Sequence, residues 1–449
     1  MTISDSNNLH VVVGLGASGY SAARYLSRQG ISVAITDSRA NPPNLDAFQK
    51  AFPEIPVSVG KLDEAFLDKA SKIIMSPGVS LQEEAIARQQ SRGIPIIGDI
   101  ELFAEIAQDF PVIAITGTNA KSTVTTLVGE MALAAHMHVK VGGNLGVPAL
   151  ELLTDPMPDL FVLELSSFQL ETTYSLAPKV ATILNITPDH MDRYATIKDY
   201  AQAKQRIYSN AEIAVCNRDD AATECHKHVK TKLYFTLNEP RDNEFGLLQK
   251  KGENYLAFEN QILIATRELP ILGRHYQANA LASLAIGYGY GFPMDAMLQT
   301  LKHFKGLAHR CQLVRERLLV SWYNDSKGTN VGATLAAIDG LGPEVKGKLV
   351  LIAGGVGKNA DFSTLVPAIE KYVKSVILIG EAAPILADVL SGRVDIHFAK
   401  SLEEAVLEAD LLAQAGDSVL LSPACASLDM FKNFEHRGEV FVKVVQSLK

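Results

Sequence analysis

Long apolar runs are missing from this chain. No stretch approaches the roughly 20 residues needed to cross a bilayer, so membrane insertion is not expected. The opening Met1-Thr-Ile-Ser-Asp-Ser-Asn-Asn is polar and lacks the basic and apolar regions of a secretory leader. Cysteine is scarce: Cys216, Cys225, Cys311 and Cys425 show no paired spacing, which argues for a reduced, cytoplasmic setting. Basic clusters are also lacking. No Lys/Arg run reaches five residues and the net charge is −8, so the footprint of a phosphate-backbone binder is absent and nucleic acid is not an expected partner. No repeat or low-complexity segment occurs. Cys225-His226-Lys227-His228 carries metal-capable side chains but no second ligand pair, and reads as a solvated helix end.

What is present is an ordinary globular composition, 47% hydrophobic and 20% charged, on a chain of 449 residues that is long for one core. Short β-branched runs alternate with longer amphipathic stretches: His10–Val13, Ile31–Thr36, Val112–Thr116, Leu160–Leu165, Ala181–Asn185, Lys348–Ala353, Val376–Ile379 and Ser418–Leu421. Strands buried on both faces and interleaved with helices predict parallel sheets of an α/β protein. Breaks at Gly93–Gly98 and Phe304–Arg310 divide the chain into three expected domains, 1–98, 99–305 and 306–449. Polar alternation over Leu233–Ile271 predicts a few inserted antiparallel strands, and Leu318–Tyr323 a strand opening the third domain.

Gly14-Leu-Gly-Ala-Ser-Gly19 follows the first strand and opens a helix, and a second strand ends in Asp37. That context suits an anionic, nucleotide-like group on a helix N-terminus, with an acid for a ribose. Taken alone it favours an NAD-dependent dehydrogenase; a glycine turn with no ligand is the bland alternative.

Ile113-Ala-Ile-Thr-Gly-Thr-Asn-Ala-Lys-Ser-Thr123 is a strand–turn–helix in which backbone N–H groups can surround phosphate. Lys121 can neutralise β/γ oxygens, and Ser122 or Thr123 can ligate Mg²⁺. Ile115 and Ala120 stand where the standard pattern has glycine. A left-handed angle at 120 would cost about 1 kcal/mol with alanine, so an angle tolerable to a Cβ is expected there.

Glu164, in Leu163–Glu171, and His190, in Asn185–Arg193, each follow an apolar strand, which puts them at carboxyl ends where open sheets bind ligands. Glu164 interrupts an apolar run, so its carboxylate needs a partner or a cation; Mg²⁺ held by Ser122 and Glu164 with phosphate oxygens fits. Later polar, Gly-containing clusters are Gly273–Asn279, Leu307–Arg310, Asn324–Asn330, Gly354–Lys358 and Ser422–Asp429. Together they predict a third domain whose loops close on the phosphate site.

With these motifs the chain resembles the Mur ligase family, the ATP-dependent amino-acid ligases of peptidoglycan synthesis. Gly117–Thr123, His309-Arg310 and Asn324–Lys327 are similar to motifs of the whole family. Gly98–Phe103, Glu164–Glu171, Asp189–Tyr194 and Ser422–Phe434 resemble its D-glutamate-adding branch, and the likeness runs from Val11 to Val442. It implies a Rossmann-like N-terminal domain, a central P-loop-type ATPase domain and a Rossmann-like C-terminal domain. The implied reaction joins D-glutamate to UDP-N-acetylmuramoyl-L-alanine through an acyl phosphate, in a cytoplasmic monomer serving cell-wall synthesis and division.

The resemblance reassigns the first motif to the UDP-sugar, with Leu15, Asp37, Ser38, Arg39, Ser76, Gly78 and Asn144 in contact. ATP would be held by Gly117, Thr118, Asn119, Ala120, Lys121, Ser122, Thr123, Asn279, Arg310, Asp325 and Lys327. D-glutamate would meet Thr329, Lys358, Ser427, Leu428 and Phe434. Lys121, Glu164, His190 and Lys204 would be catalytic. Two Mg²⁺ ions are implied on Ser122, Glu164, His190 and Lys204, the lysine carrying a CO₂-derived carbamate. Cys311, Gln312 and Val356 depart from the family pattern. A sibling ligase for another amino acid is the near alternative, and the dehydrogenase the distant one.

Overall fold

The computed structural model describes residues 8–271 and 273–449; the leader-free segment expected over residues 1–7 lies outside them. Three separate sheets account for the strands. The first has five parallel strands in the order Val57–Val59, Ser32–Asp37, Leu9–Val13, Lys72–Met75 and Ile96–Gly98. Every residue of Leu9–Val13 is buried, as its apolar run requires. The order reverses between Leu9–Val13 and Lys72–Met75, and a ligand crevice is expected just beyond the carboxyl ends at such a point.

The central sheet has nine strands, ordered Gln261–Ala265, Glu253–Phe258, Glu244–Lys250, Thr231–Phe235, Ile213–Asn217, Val180–Ile183, Val112–Thr116, Leu160–Glu164 and Val139–Gly143. Glu244 to Ala265 forms the antiparallel part, two tight hairpins added to an otherwise parallel sheet. The wholly buried Val112–Thr116 lies between Val180–Ile183 and Leu160–Glu164, so Thr116, Glu164 and Ile183 end side by side.

The third sheet runs Gln312–Arg317, Val320–Asn324, Ser418–Leu421, Leu349–Gly354, Val373–Ile379 and Asp395–Phe398, with only the first pair antiparallel. The strand predicted at Leu318–Tyr323 starts later, at Val320. Leu318 and Leu319 instead make the hairpin turn with φ of 51° and 61°, angles that Asn-Gly usually supplies.

The core is continuous between the first two sheets. The helix Asp99–Ile106 follows the first sheet directly, and its Phe103 meets Phe161 of the central sheet edge-on at 5.0 Å. The expected helix end at Cys225–His228 is a coil after a short 3-10 turn, and Cys225 is fully buried. A small thiol filling the core explains that position better than solvation does. Among the described residues no group of three or more His, Cys, Asp and Glu gathers as a metal site, and no helix is long and apolar enough to cross a membrane.

Candidate active site

The phosphate loop leaves Val112–Thr116 and enters the helix Lys121–Ala134. Neighbouring strand ends pin it. Asn119 donates its backbone N–H to Asn185 Oδ1 at 2.8 Å, and Thr118 Oγ1 donates to the Thr187 carbonyl at 3.1 Å. With Asn119 fixed and a helix starting at Lys121, the chain must reverse within one residue. Ala120 does so at φ 66°, ψ −5°. The expectation of an angle comfortable for a Cβ is therefore corrected: the loop stores about 1 kcal/mol of strain. Lys121 Nζ donates to the Gly117 and Thr118 carbonyls, both at 2.8 Å, folding back over the loop.

A cavity of about 280 Å³ opens over this loop. Lys121, Ser122, Asn144, Glu164, His190, Lys204, Arg310, Lys327, Thr329 and Lys358 all line it, drawn from the central and third parts of the chain. Arg310 Nη2 donates to Ser122 Oγ at 2.8 Å across that junction. Glu164 is 2% exposed. Its Oε1 accepts from Asn144 Nδ2 at 2.7 Å, while its Oε2 is buried with no hydrogen-bond partner. A carboxylate oxygen left so, lining the same cavity as the Ser122 hydroxyl, belongs to a hard-oxygen set of the kind Mg²⁺ takes, so these residues fit that ion.

Lys204 is buried at the floor. Its Nζ donates to the Gly117 carbonyl at 2.8 Å and lies 4.5 Å from the centre of the Tyr200 ring. Burial, with Lys121 nearby, holds its amine well below the usual lysine range. His190, itself at φ 58°, is likewise held below its ordinary value by burial. Asp189 opposes that shift while Lys358 and Lys121 reinforce it.

Further cavities adjoin, and two of them concern the nucleotide-like motifs. One of about 190 Å³ lies between the phosphate loop and the third domain, lined by Asn119, Ala120, Thr123, His275, Asn279, Arg310, Asp325 and Lys327 among others. Burial lifts Asp325 to about 6 and lowers Lys327 to about 8. Cys311, one departure from the family pattern, donates its N–H to Asp325 Oδ1 at 3.2 Å, and Gln312 Oε1 accepts from the His309 N–H. The other cavity, about 390 Å³, sits at the reversal point of the first sheet and is lined by Asp37, Ser38, Arg39, Ser76, Gly78 and Asn144. Leu15 is buried there and offers its backbone N–H to Asp37 Oδ2 at 2.7 Å.

Asp37 also accepts from Arg39 Nε and Nη2, at 2.9 and 2.6 Å. Burial pushes its carboxyl up, but Arg39 and two backbone N–H donors outweigh that and hold it below its ordinary value. Both its oxygens are thus used within the protein, and Ser38 and Arg39 are the exposed groups. Gly14 needs its φ of 91°, and a Cβ on Gly19 would collide with the Gly14 carbonyl. Asn144 lines this cavity and the one over the phosphate loop, so they meet at its side chain.

Of the residues expected around D-glutamate, Thr329 and Lys358 reach the central cavity. Ser427, Leu428 and Phe434 are not among its lining; Ser427 is buried, Leu428 is 72% exposed, and Phe434 lies under Lys327 Nζ at 3.6 Å. Asn185, Asp189 and Asn330, which the sequence patterns quote without a role, make bonds that fasten the loops. Their only signal was a place inside polar, strand-ending motifs.

Known proteins share this arrangement. Sequence profiles match for the Mur ligase MurD-like N-terminal domain over residues 8–98, the Mur ligase middle domain over 115–287, and the Mur ligase glutamate ligase domain over 309–425. The UDP-N-acetylmuramoylalanine–D-glutamate ligase of Pseudomonas savastanoi pv. phaseolicola is 51% identical over 449 residues, all of both chains. The chain belongs to the Mur ligase family. The enzyme of the same name from Coxiella burnetii is also 51% identical, over 99% of this chain and 100% of its own. Among solved structures, the UDP-N-acetylmuramate–alanine ligase of Thermotoga maritima matches with a TM-score of 0.62 and 18% identity, covering 98% of this chain and 100% of that one. It shares the Mur ligase fold. Membership also corrects the dehydrogenase reading of Gly14–Asp37, because that segment lies within the Mur ligase N-terminal domain.

Proposed function

We propose that the three cavities serve the three substrates of one ligation. The chain is an ATP-dependent, ADP-forming amide ligase that adds D-glutamate to UDP-N-acetylmuramoyl-L-alanine in peptidoglycan precursor synthesis. The observation that carries the catalytic reading is the single polar wall on which Lys121, Glu164, His190 and Lys204 converge beside Arg310 and Lys327.

In this reading the UDP end lies against Ser38, Arg39 and Gly78, and Asn144 marks where the sugar passes toward the phosphate loop. ATP occupies the cavity of Asn279, Asp325 and Lys327, with its phosphates on Gly117–Thr123. The alanyl carboxylate attacks the γ-phosphorus, breaking its bond to the bridging oxygen and giving an acyl phosphate and ADP. Lys121 and Arg310 neutralise charge on the transferred group. The D-glutamate amine then attacks the acyl carbon; the C–N bond forms, inorganic phosphate leaves, and the amine gives up a proton. Solvent water and, when its imidazole is not holding a cation, His190 are the two candidate acceptors. Lys358 pairs with a carboxylate of D-glutamate and Thr329 borders it. Ser427, Leu428 and Phe434 complete that seat in the same third domain.

Ser122 and Glu164 would hold one Mg²⁺, and His190 with a carbamylated Lys204 a second, each supplying positive charge to phosphate oxygens. Burial of the Lys204 amine, which favours its unprotonated form, supports the carbamate: the nitrogen can bond to CO₂ and release a proton, converting a hydrogen-bond donor into an oxygen ligand. Domains 1–98, 99–305 and 306–449 follow the three sheets. A cytoplasmic monomer is part of the same reading; Cys216, Cys225 and Cys425 are buried free thiols, which suits a reducing compartment.

The test is phosphate release from ATP by the purified protein. It should require both UDP-N-acetylmuramoyl-L-alanine and D-glutamate; equal release with L-glutamate or meso-diaminopimelate overturns the specificity.

A further inference from the structure

Asn330 begins the helix Val331–Leu341 of the third domain, and its Oδ1 accepts from the Ala333 N–H at 2.8 Å. Asp or Ser would cap the helix as well. Its amide nitrogen does something neither could. It donates to Asn119 Oδ1 in the phosphate loop at 3.2 Å and to Asp189 Oδ2, beside His190, at 3.1 Å. Asn330 is 8% exposed, so these bonds are shielded from water.

The helix start is also built for close approach. A Cβ on Gly332 would stand 2.9 Å from Thr187 Oγ1 and 3.5 Å from Asn119 Nδ2. Thr187 N–H donates in turn to Thr118 Oγ1 at 3.0 Å. A small residue at 332 and an amide at 330 thus bring one helix terminus onto two loops at once.

We infer that Asn330 is a positioning residue for the ligation, transmitting the seating of the third domain to the phosphate loop and to the His190 turn. The inference rests on the ligase reading above. Its amide aligns the loop that holds the triphosphate with the turn that faces the acyl carbon. An acid at 330 would cap equally but set two carboxylates against each other across Asp189.

The experiment uses the full-length protein with Asn330→Asp, Asn330→Ser, Asp189→Asn and the swapped pair Asn330→Asp/Asp189→Asn. Both single changes at 330 keep a good cap, so the melting temperature should fall by only the few degrees that losing these hydrogen bonds costs. KM for the UDP-sugar, whose uridine diphosphate end is held in the first-domain cavity away from this contact, should stay within about threefold while kcat falls about tenfold to a hundredfold, as misplacement of the reacting end does. The swapped pair, in which an amide again faces a carboxylate, should recover activity beyond the product of the single effects. Wild-type kcat in both single variants overturns the inference, as does a loss of kcat that merely follows a loss of melting temperature, or a swap with no coupling. Wild-type protein that releases no phosphate with D-glutamate would instead overturn the ligase reading.

Discussion

Arg193 donates from Nη1 to the Pro77 carbonyl at 2.7 Å, tying the turn that carries His190 to the wall of the first-domain cavity. Its Nη2 also reaches Glu171 Oε2 at 2.8 Å, and the guanidinium lies 4.0 Å from the centre of the Phe168 ring. A flexible ammonium cannot reproduce that fork and stack. Arg193→Lys should therefore raise KM for the UDP-sugar about tenfold and also lower kcat, the scale of lost hydrogen bonds to a charged group. Steady-state kinetics with varied UDP-sugar check this, and an unchanged KM would refute the coupling.

Lys204 invites a test with CO₂. If its buried amine works as a carbamate, protein held in CO₂-depleted buffer should lose most activity and regain it when bicarbonate is added. Lys204→Ala should be nearly inactive and indifferent to bicarbonate. Lys204→Arg, which puts a fixed cation there and offers no amine to CO₂, should be inactive as well. Full turnover by either variant would remove the carbamate from the mechanism.

Ala120 pays a conformational cost that glycine would not. Ala120→Gly should stabilise the folded protein by up to about 1 kcal/mol through relief of the left-handed strain, offset in part by the freer unfolded chain. Chemical denaturation measures the change; a loss of more than about 1 kcal/mol would show that the alanine methyl contributes packing that outweighs the strain.

His275 predicts an acid-sensitive window. Burial lowers it to about 4 from an ordinary 6.5, so between those values the unfolded chain binds the extra proton. Stability then rises with pH across the window and is lost as pH falls through it, by at most about 1.4 kcal/mol per pH unit. His275→Asn cannot titrate there. Urea unfolding at several pH values from 7.5 to 4 should show a shallower acid loss in the variant, and parallel curves would refute the assignment.

How much of the structure is legible in the sequence depends on what each pattern encodes. Val112–Thr116 and Ser418–Leu421 were legible to the residue, because a buried parallel strand writes itself as a short apolar run. The Leu318–Leu319 turn was not, since leucine carries no turn signal and only the hairpin forces its angles. At the active site, Lys121 and Ser122 announce themselves by a strand–turn–helix context. The bonds of Asn330 to Asn119 and Asp189 do not, because partners separated by 211 and 141 residues leave no local spacing to read. Ala120 fell between these cases: its place in the loop was evident, but its sign of φ was set by Asn185 pinning Asn119.

The wall above the phosphate loop carries Lys121, Arg310, Lys327 and Lys358 against Glu164 and Asp189. Such a surface is electrostatically self-repelling, and a triphosphate is the counter-charge that relaxes it. Nucleotide should therefore act as mortar as well as fuel, drawing together two domains whose facing cations otherwise oppose contact. The salt concentration of the medium, by screening the same repulsion, becomes a second hand on how tightly this enzyme closes.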